Sequence, residues 1–302
     1  MKLLLIGTQE SAAQAENYYD SYITVFREAI DAAGIEGSID FTYLDDLALS
    51  AGDGKISAVD TVSGNELNAY DMVFIRGLGL RQRFDELKLV SVYARENNIK
   101  LVNDYASFRD SSKLGQAVTF HETGLPVASS VFVNRVVLAG KVELPFGFPC
   151  IMKATFGAHG NDNYLVKSLE EVVKIQAESS GKRFVLQRFV KNEGDFRILV
   201  VGEEVTLIGR RATSGSHLNN TSQGADAEII ANDAVDPKMI SDAKKVIQHL
   251  GMTIAGVDAI IDSDTGEYFF LEVNSQPQLM SGAFLDVKAS MLSKLLAYES
   301  GK

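Results

Sequence analysis

Two apolar segments near the C-terminus, residues 254–261 and 268–273, are separated by a short turn rich in Asp, Ser and Gly. Apolar runs bounded by turn residues are typical of paired strands, so this pattern predicts a β-hairpin. Asp258 and Glu272 are equidistant from the centre of the turn, which places their side chains opposite each other on one face. Asn274 follows Glu272 by two residues and points to the same face. The hairpin therefore brings two carboxylates and an amide oxygen together at one end of a sheet.

Opposed carboxylates destabilise a sheet unless a cation neutralises them. Carboxylate and amide oxygens are ligands that Mg²⁺ takes together with water and phosphate oxygens. The alternative is a pair of solvated surface carboxylates, which the apolar residues on both sides of Asp258 and Glu272 disfavour. We therefore interpret Asp258, Glu272 and Asn274 as candidate metal ligands.

A second hairpin, residues 196–201 and 205–208, carries the opposite charge. Its turn places Arg197 and Arg210 on the same face. Guanidinium groups bind phosphate or carboxylate through two parallel hydrogen bonds, so this pair suits an anion clamp. Salt bridges to Asp195 or Glu193 are an equally good interpretation, and the residues alone do not choose between the two.

Lys153 follows an apolar run at residues 149–152, where a lysine is costly unless it is paired. A loop that contains Thr155, Gly157 and Gly160 comes next. Such a loop can bring backbone N–H groups against phosphate oxygens. It can equally be an ordinary hairpin loop.

Short strands and helices alternate over roughly the first 110 residues, which predicts an α/β unit with a parallel sheet. Residues 50–70 interrupt it as a hairpin insertion or a loop, with weak strands around residues 63–65. From about residue 111, strands cluster into antiparallel pairs, as in an α+β fold. The length of 302 residues also favours two domains.

Composition excludes several classes of protein. The net charge of -11 argues against a nucleic-acid binder, although a small anion site remains compatible with it. A single cysteine rules out a disulfide framework and indicates a reducing compartment. The apolar runs are too short for a signal peptide or a membrane span. We therefore expect a cytoplasmic protein without nucleic-acid or membrane partners.

Taken in chain order, these features resemble the ATP-grasp enzymes, and most closely the RimK-type glutamate ligases. The resemblance covers roughly residues 70–298. The motifs that carry it are Asp71–Gly77, Arg109–Lys113, Gly124–Val127, Lys153 with its loop, Gln187–Val190, Gly194–Arg197, Arg210 with Arg211, Asn219 with Gly224, Gly256–Asp258 and Leu271–Ser275. The resemblance implies a pre-ATP-grasp α/β domain at residues 1–108, then a two-lobed ATP-grasp fold at residues 109–302. The central lobe would comprise residues 109–190 and the catalytic lobe residues 191–302.

The same resemblance implies a role for each candidate residue. Lys113 and Lys153 would hold the ATP phosphates, under a loop with Thr155, Gly157 and Gly160. The adenine hinge would contain Gln187, Phe189 and Val190, and Asp195 would lie near the ribose or the acceptor. Arg197 and Arg210 would stabilise the transferring phosphate, and Asp258, Glu272 and Asn274 would hold Mg²⁺ or Mn²⁺. Arg76, at the end of a buried-type strand, and Asn219 are candidate substrate residues.

The implied reaction is ATP-dependent carboxylate–amine ligation through an acyl phosphate, with an amino acid added to a peptide, a protein or a small acid. No Ser/His/Asp or Cys/His set competes with this interpretation in the sequence. The alternatives are an ATP-grasp kinase acting on a small molecule and a non-catalytic ATP-binding regulatory module. Residues 219–224 lack the basic pair of RimK enzymes, which predicts a different substrate pocket. Relatives are often oligomeric, so a homo-oligomer is also an expectation.

Overall fold

The computed structural model describes residues 1–9, 11, 17–105, 112–156, 162–211 and 226–301. Its N-terminal part contains the elements β1 (Lys2–Gly7), α1 (Tyr18–Ala32), β2 (Ser38–Tyr43), β3 (Leu47–Gly52), β4 (Lys55–Asp60), β5 (Met72–Ile75), α2 (Phe84–Glu96) and β6 (Lys100–Val102). Strands β2-β1-β5-β6 form a parallel sheet in that order. All four residues of β5 are buried, as an unbroken apolar run between two faces requires. The predicted parallel α/β unit is confirmed.

Strands β3 and β4 form a separate antiparallel hairpin, closed by Asp53 and Gly54 in left-handed conformations. Two such residues in succession are typical of the tightest hairpin turns. The predicted weak strand at residues 63–65 is wrong, because the buried Asp60 carboxylate holds this segment in a turn. It accepts hydrogen bonds from Thr42 Oγ1 (2.8 Å), Val62 N (3.1 Å) and Ser63 Oγ (2.6 Å).

The middle of the chain contains α3 (Lys113–Glu122), β7 (Ser130–Phe132), α4 (Arg135–Leu138), β8 (Cys150–Ala154), β9 (Asn163–Val166), α5 (Leu169–Glu178) and β10 (Phe184–Arg188). Its strands form an antiparallel sheet in the order β7-β10-β8-β9. Ser112 Oγ accepts a hydrogen bond from Gly115 N at 3.0 Å and caps the start of α3. The short helix α4 was not predicted, since one helical turn carries no detectable periodicity.

The last part contains β11 (Asp195–Val201), β12 (Glu204–Arg211), β13 (Asp226–Ile230), α6 (Pro237–His249), β14 (Ile254–Ile261), β15 (Tyr268–Asn274) and α7 (Leu285–Glu299). Its antiparallel sheet has the order β13-β12-β11-β14-β15. Both predicted hairpins therefore lie side by side in this sheet, and β13 is an edge strand that the pattern did not reveal. None of the helices that the structure describes has the length and apolar character of a transmembrane span.

The hydrophobic cores do not follow the order of the chain. One core joins residues of the first sheet, such as Leu4 and Val73, to residues of the third, such as Ile198 and Val257. A second core packs α1 against α7. The middle sheet has a core of its own, around Phe184. The predicted boundaries after residues 108 and 190 stay predictions.

Asn103 connects the first sheet to the third. Its Nδ2 donates to Ile254 O (2.7 Å) and Ser275 O (3.2 Å), and its Oδ1 accepts from Thr253 N (2.8 Å) and Ile254 N (2.7 Å). The side chain is buried, so these bonds satisfy backbone groups that water does not reach. Asn103 thus fixes the segment that follows Asn274 against the N-terminal sheet.

Candidate active site

Three adjacent strands of the third sheet bring the candidate acidic and basic residues together. Arg197 on β11 lies opposite Asp258 on β14, and Asp258 lies opposite Glu272 on β15. The predicted pairing of the two carboxylates is confirmed. A β-bulge follows at once, because Ala259 pairs with Phe270 and leaves Leu271 without an opposite residue. Without this bulge, Leu271 would face Asp258 and Glu272 would point to the other side of the sheet.

The two arginines both bind Asp258. Arg197 donates from Nε to Asp258 Oδ1 and from Nη2 to Oδ2, the latter at 2.9 Å. Arg210 donates from Nε to Asp195 Oδ1 at 2.6 Å, and its Nη2 lies 3.1 Å from Asp258 Oδ1. The salt bridge to Asp195, one of two interpretations open from the sequence, is therefore present. A phosphate role for the arginines would use their remaining Nη hydrogens or an exchange of these carboxylates for phosphate oxygens.

Glu272 is paired in the same way. Lys113 Nζ, at the start of α3, lies 2.8 Å from Glu272 Oε2. The Asn274 amide, oriented to satisfy both neighbours, donates to Glu272 Oε1 at 3.2 Å and accepts from Arg197 Nη2 at 3.3 Å. Each candidate metal ligand is thus bound to a cation or an amide of this chain.

Burial and charge act on the carboxylates in different ways. Burial, together with the charge of Asp258, raises the pKa of Asp195 to about 7 despite its contact with Arg210. Burial also acts to raise the pKa of Asp258, but the guanidinium groups of Arg197 and Arg210 overcome it and hold that pKa below its usual range. Asp258 is therefore ionised, and Arg197 and Arg210 are arranged around its negative charge.

Lys153 approaches the same cluster from the middle sheet. Its Nζ donates to Gln187 Oε1 at 2.8 Å, and Gln187 Nε2 donates to Ser130 Oγ at 3.1 Å. Burial, and then the charge of Lys113, lower the pKa of Lys153 to about 8. A half-buried ammonium beside a second cation is poorly stabilised, so this position favours a bound anion.

The segment after Lys153 is hydrogen-bonded to the backbone of Lys113. Lys113 N donates to Thr155 O at 3.0 Å, and the buried Thr155 hydroxyl has no hydrogen-bond partner among the described residues. Gly157 and Gly160 lie outside the described residues, and so does Asn219. In the connector after β10, Val190 is buried and Phe189 half-buried.

Arg76 lies at the end of β5 and is 3 % exposed. Its Nε donates to Tyr22 Oη at 3.1 Å and its Nη2 to Pro277 O at 2.6 Å. No carboxylate of the described residues forms an ion pair with it. Arg76 is therefore a buried cation at the junction of the N-terminal sheet and the segment that follows Asn274.

Gly256 was not recognised as a site residue from the sequence, although a glycine inside an apolar strand signals close approach of other atoms. A Cβ at this position would lie 2.7 Å from Arg197 Cδ and 3.3 Å from Pro277 Cβ. The glycine therefore makes room for the Arg197 side chain to reach Asp258.

A divalent metal ion fits this donor set only if water or phosphate oxygens complete its coordination. Among the described residues, no three His, Cys, Asp or Glu side chains gather into a metal site. Two carboxylates and one amide oxygen are an incomplete shell for Mg²⁺, which ordinarily takes further oxygens from water and phosphate. The residues present therefore fit a metal ion that arrives with a nucleotide.

Comparison with known proteins identifies the family. Residues 127–298, more than half of the chain, match the model of the RimK-like ATP-grasp domain. The chain belongs to the RimK-like ATP-grasp family. Among its relatives is a tetrahydromethanopterin:α-L-glutamate ligase of Methanosarcina acetivorans, 29% identical over 199 residues that cover 60% of this chain and 59% of the relative. An α-aminoadipate–LysW ligase LysX of Sulfurisphaera tokodaii is 24% identical over 187 residues, which cover 59% and 64%. The chain thus spans less than two thirds of these relatives.

Solved structures share the fold of this chain. The ATP-grasp ligase PsnB, complexed with a phosphomimetic variant of its minimal precursor, Mg and ADP, has a TM-score of 0.67 at 16% identity. The match covers 99% of this chain and 98% of PsnB. At this identity the likeness shows the fold, so the expected α/β unit followed by an ATP-grasp fold is confirmed.

Proposed function

We propose that this RimK-like ATP-grasp protein is an ATP- and Mg²⁺-dependent carboxylate–amine ligase. The observation that carries the proposal is the cluster in which Lys113, Arg197 and Arg210 bind the opposed carboxylates Asp258 and Glu272. It offers cations for phosphate oxygens and oxygen ligands for a metal. Phosphoryl transfer depends on such positioning and charge neutralisation more than on a nucleophilic side chain.

The reaction has two steps. An oxygen of the substrate carboxylate attacks the γ-phosphorus of ATP, which forms an acyl phosphate and releases ADP. A neutral amine then attacks the acyl carbon, phosphate leaves, and the amine nitrogen loses a proton. When bound, Mg²⁺ would neutralise the charge that develops on the phosphate oxygens.

Different residues of this chain would bind the phosphates and the metal ion. Lys113 and Lys153 bind the phosphates, and Arg197 and Arg210 turn from Asp258 to the transferring phosphate. Asp258, Glu272 and Asn274 would hold the metal ion, for which Mn²⁺ is a substitute. Charge neutralisation of this kind in a water-poor site is the largest single contribution to many enzymatic rates.

Other residues complete the proposed nucleotide site. Gln187, Phe189 and Val190 border the adenine, and Asp195 lies near the ribose or the acceptor. Thr155, Gly157 and Gly160 belong to the loop over the phosphates, and Arg76 and Asn219 to the substrate side. The boundaries after residues 108 and 190 are part of the same proposal.

The relatives' names guide the choice of substrates. By their names, the two relatives are ligases that act on glutamate or α-aminoadipate, and PsnB is complexed with its precursor. We therefore propose a small molecule or a peptide as the carboxylate partner and an amino acid as the amine. A cytoplasmic location and a homo-oligomeric state are also proposed, since the reaction consumes ATP, Cys150 is a free buried thiol and relatives are often oligomeric. Light scattering tests the oligomer.

The decisive experiment measures ADP release from Mg-ATP against a matrix of acids and amines, with the coupled product identified by mass. Ligation requires that both partners be present, and Glu272→Gln should abolish it while the matched Glu267→Gln, on an exposed residue of the same hairpin, leaves it intact. ADP formation with an alcohol and no acid would instead indicate a kinase. Nucleotide binding without ADP release for any pair would indicate a regulatory module.

A further inference from the structure

Lys288 is a buried cation next to the site that the reaction above does not use. It lies on α7, is 5 % exposed, and donates from Nζ to Ser281 O at 2.9 Å. Among the residues that the structure describes, no carboxylate forms an ion pair with it. A buried ammonium is costly unless an anion compensates it.

The surroundings of Lys288 add to this cost. It is the fourth residue of α7, near the end at which the helix dipole repels a positive charge. Burial, and then the charge of Arg197, lower the pKa of Lys288. Burial, the charge of Arg197 and the helix dipole therefore all disfavour an ammonium here, and the hydrogen bond to Ser281 O is the one contact described above that favours it.

Arg76 is a second buried cation without a carboxylate partner among the described residues. It contacts the same segment, residues 275–284, which follows the candidate metal ligand Asn274. Arg76 donates to Pro277 O and Lys288 donates to Ser281 O, four residues later. We name this segment, with its two cations, the acceptor segment.

The acceptor segment is held in place from several sides. Gly77 N donates to Gln276 Oε1 at 3.3 Å, and Asn103 donates to Ser275 O at 3.2 Å. Leu279 is fully buried in the core between α1 and α7. The two cations therefore keep a defined position relative to Asn274 without any anion bound.

Glycine leaves space beside the Lys288 ammonium. Gly282 has a φ of +73°, and a Cβ there would lie 3.9 Å from Lys288 Nζ and 3.1 Å from Gln278 Oε1. The position is exposed to solvent. A small ligand group can thus approach the ammonium where another residue would place its side chain.

We propose that Lys288, at the acceptor segment, binds a carboxylate group of the amine substrate, while Arg76 contacts the same segment four residues earlier and adds to its positive charge. The amine substrate is then an amino acid with a free carboxylate and not a simple amine. This inference rests on the proposed function for the identity of the substrate, while the binding of a carboxylate rests on the buried Lys288 ammonium and the space beside it at Gly282.

The test uses Lys288→Met, which keeps the aliphatic volume and removes the charge. Lys294→Met is the matched control, because Lys294 lies on the same helix, is 59% exposed and pairs with Glu204 on the surface. The probe is glutarate, a dicarboxylate without an amine, titrated calorimetrically with and without Mg²⁺ and a non-hydrolysable ATP analogue. Lys288→Met should weaken glutarate binding about 10- to 100-fold, as the loss of a charge-assisted hydrogen bond does, and Lys294→Met should not.

Thermal unfolding separates binding from a structural role. Since the lysine is unfavourable for folding, Lys288→Met without ligand should unfold at the same temperature as wild type or higher. A lower unfolding temperature combined with unchanged glutarate binding would overturn the inference. It would show that Lys288 serves only to donate its structural hydrogen bond to Ser281 O. Absence of glutarate binding to wild type under both conditions also overturns it.

Kinetics connect the subsite to the reaction. With an amino acid as amine substrate, Lys288→Met should raise the KM for that amine about 10-fold or more and leave the KM for ATP unchanged. An amine KM that changes no more than in Lys294→Met contradicts the inference. If no acid–amine pair releases ADP although glutarate binding depends on Lys288, the carboxylate subsite stands and the proposed ligase function fails.

Discussion

Arg197 and Asp258 lie directly opposite each other on adjacent antiparallel strands, and the guanidinium donates two hydrogen bonds to the carboxylate. Arg210 adds a third contact to the same carboxylate. A metal ion bound at Asp258, as proposed above, would therefore compete with arginines of the chain itself. The displaced guanidinium groups become available to phosphate oxygens, so binding of the metal and binding of the nucleotide should support each other.

Asp258→Asn tests this competition. Loss of the carboxylate should lower the rate of ADP release about 100-fold or more, as removal of one electrostatic contact in an active site does. It should also lower the free energy of unfolding by about 1–3 kcal/mol, because two guanidinium groups lose their anion. Asp264→Asn, at an exposed position of the same hairpin, should change neither. A variant of Asp258 that stays within threefold of the wild-type rate contradicts the proposed metal role.

Gly256→Ala should impair turnover without removing any functional group. The added methyl would lie 2.7 Å from Arg197 Cδ, so the arginine has to move away from Asp258. We expect kcat to fall about 10-fold or more, with a smaller change in the KM for ATP. Gly52→Ala is the control, since nothing lies within 4 Å of a Cβ there. Equal kinetics for the two variants would show that Arg197 adjusts freely.

ATP binding should depend on pH through Lys153. In the free protein the pKa of Lys153 is lowered to about 8, and a triphosphate beside the ammonium raises it. The affinity for ATP is then greatest below about pH 8. It falls as the pH rises through this value, because binding then requires that Lys153 take up a proton. Calorimetry at about pH 8.5 in buffers of different ionisation enthalpy measures this uptake. The proton uptake should vanish in Lys153→Met and persist in Lys141→Met, which alters an exposed lysine.

Asn103→Ala should destabilise the whole chain. The change leaves buried backbone groups of Thr253 and Ile254 without partners and detaches Ser275. We expect the free energy of unfolding to fall by about 3 kcal/mol, measured with denaturant. Asn97→Ala removes a single bond on an exposed helix end and should cost less than about 1 kcal/mol. Similar losses in the two variants would contradict the connecting role of Asn103.

The facing pair Asp258 and Glu272 was predicted from a turn centred on residue 265. The strand pairs beside the turn, such as Ile261 with Tyr268, are centred half a residue earlier, so the bulge at Leu271 is what makes the two carboxylates face each other. The contact of Arg197 with Asp258 was not predictable from the sequence. It depends on β11 lying beside β14, and tertiary packing determines that arrangement. The bulge at Leu271 has no local signal either. Asn103 follows a short strand and resembles a loop residue until its partners at Thr253 and Ile254 are known.

The distribution of the hydrophobic cores bears on how such a chain can be divided. Leu3 and Tyr22 share a core with Leu199 and Met291, whereas the middle sheet packs around Phe184 separately. A cut at residue 108 would expose apolar faces on both fragments, so neither piece should fold as an autonomous module. The first and third sheets therefore belong to one folding unit, whereas the middle sheet, which carries Lys153 and Gln187, has a core of its own.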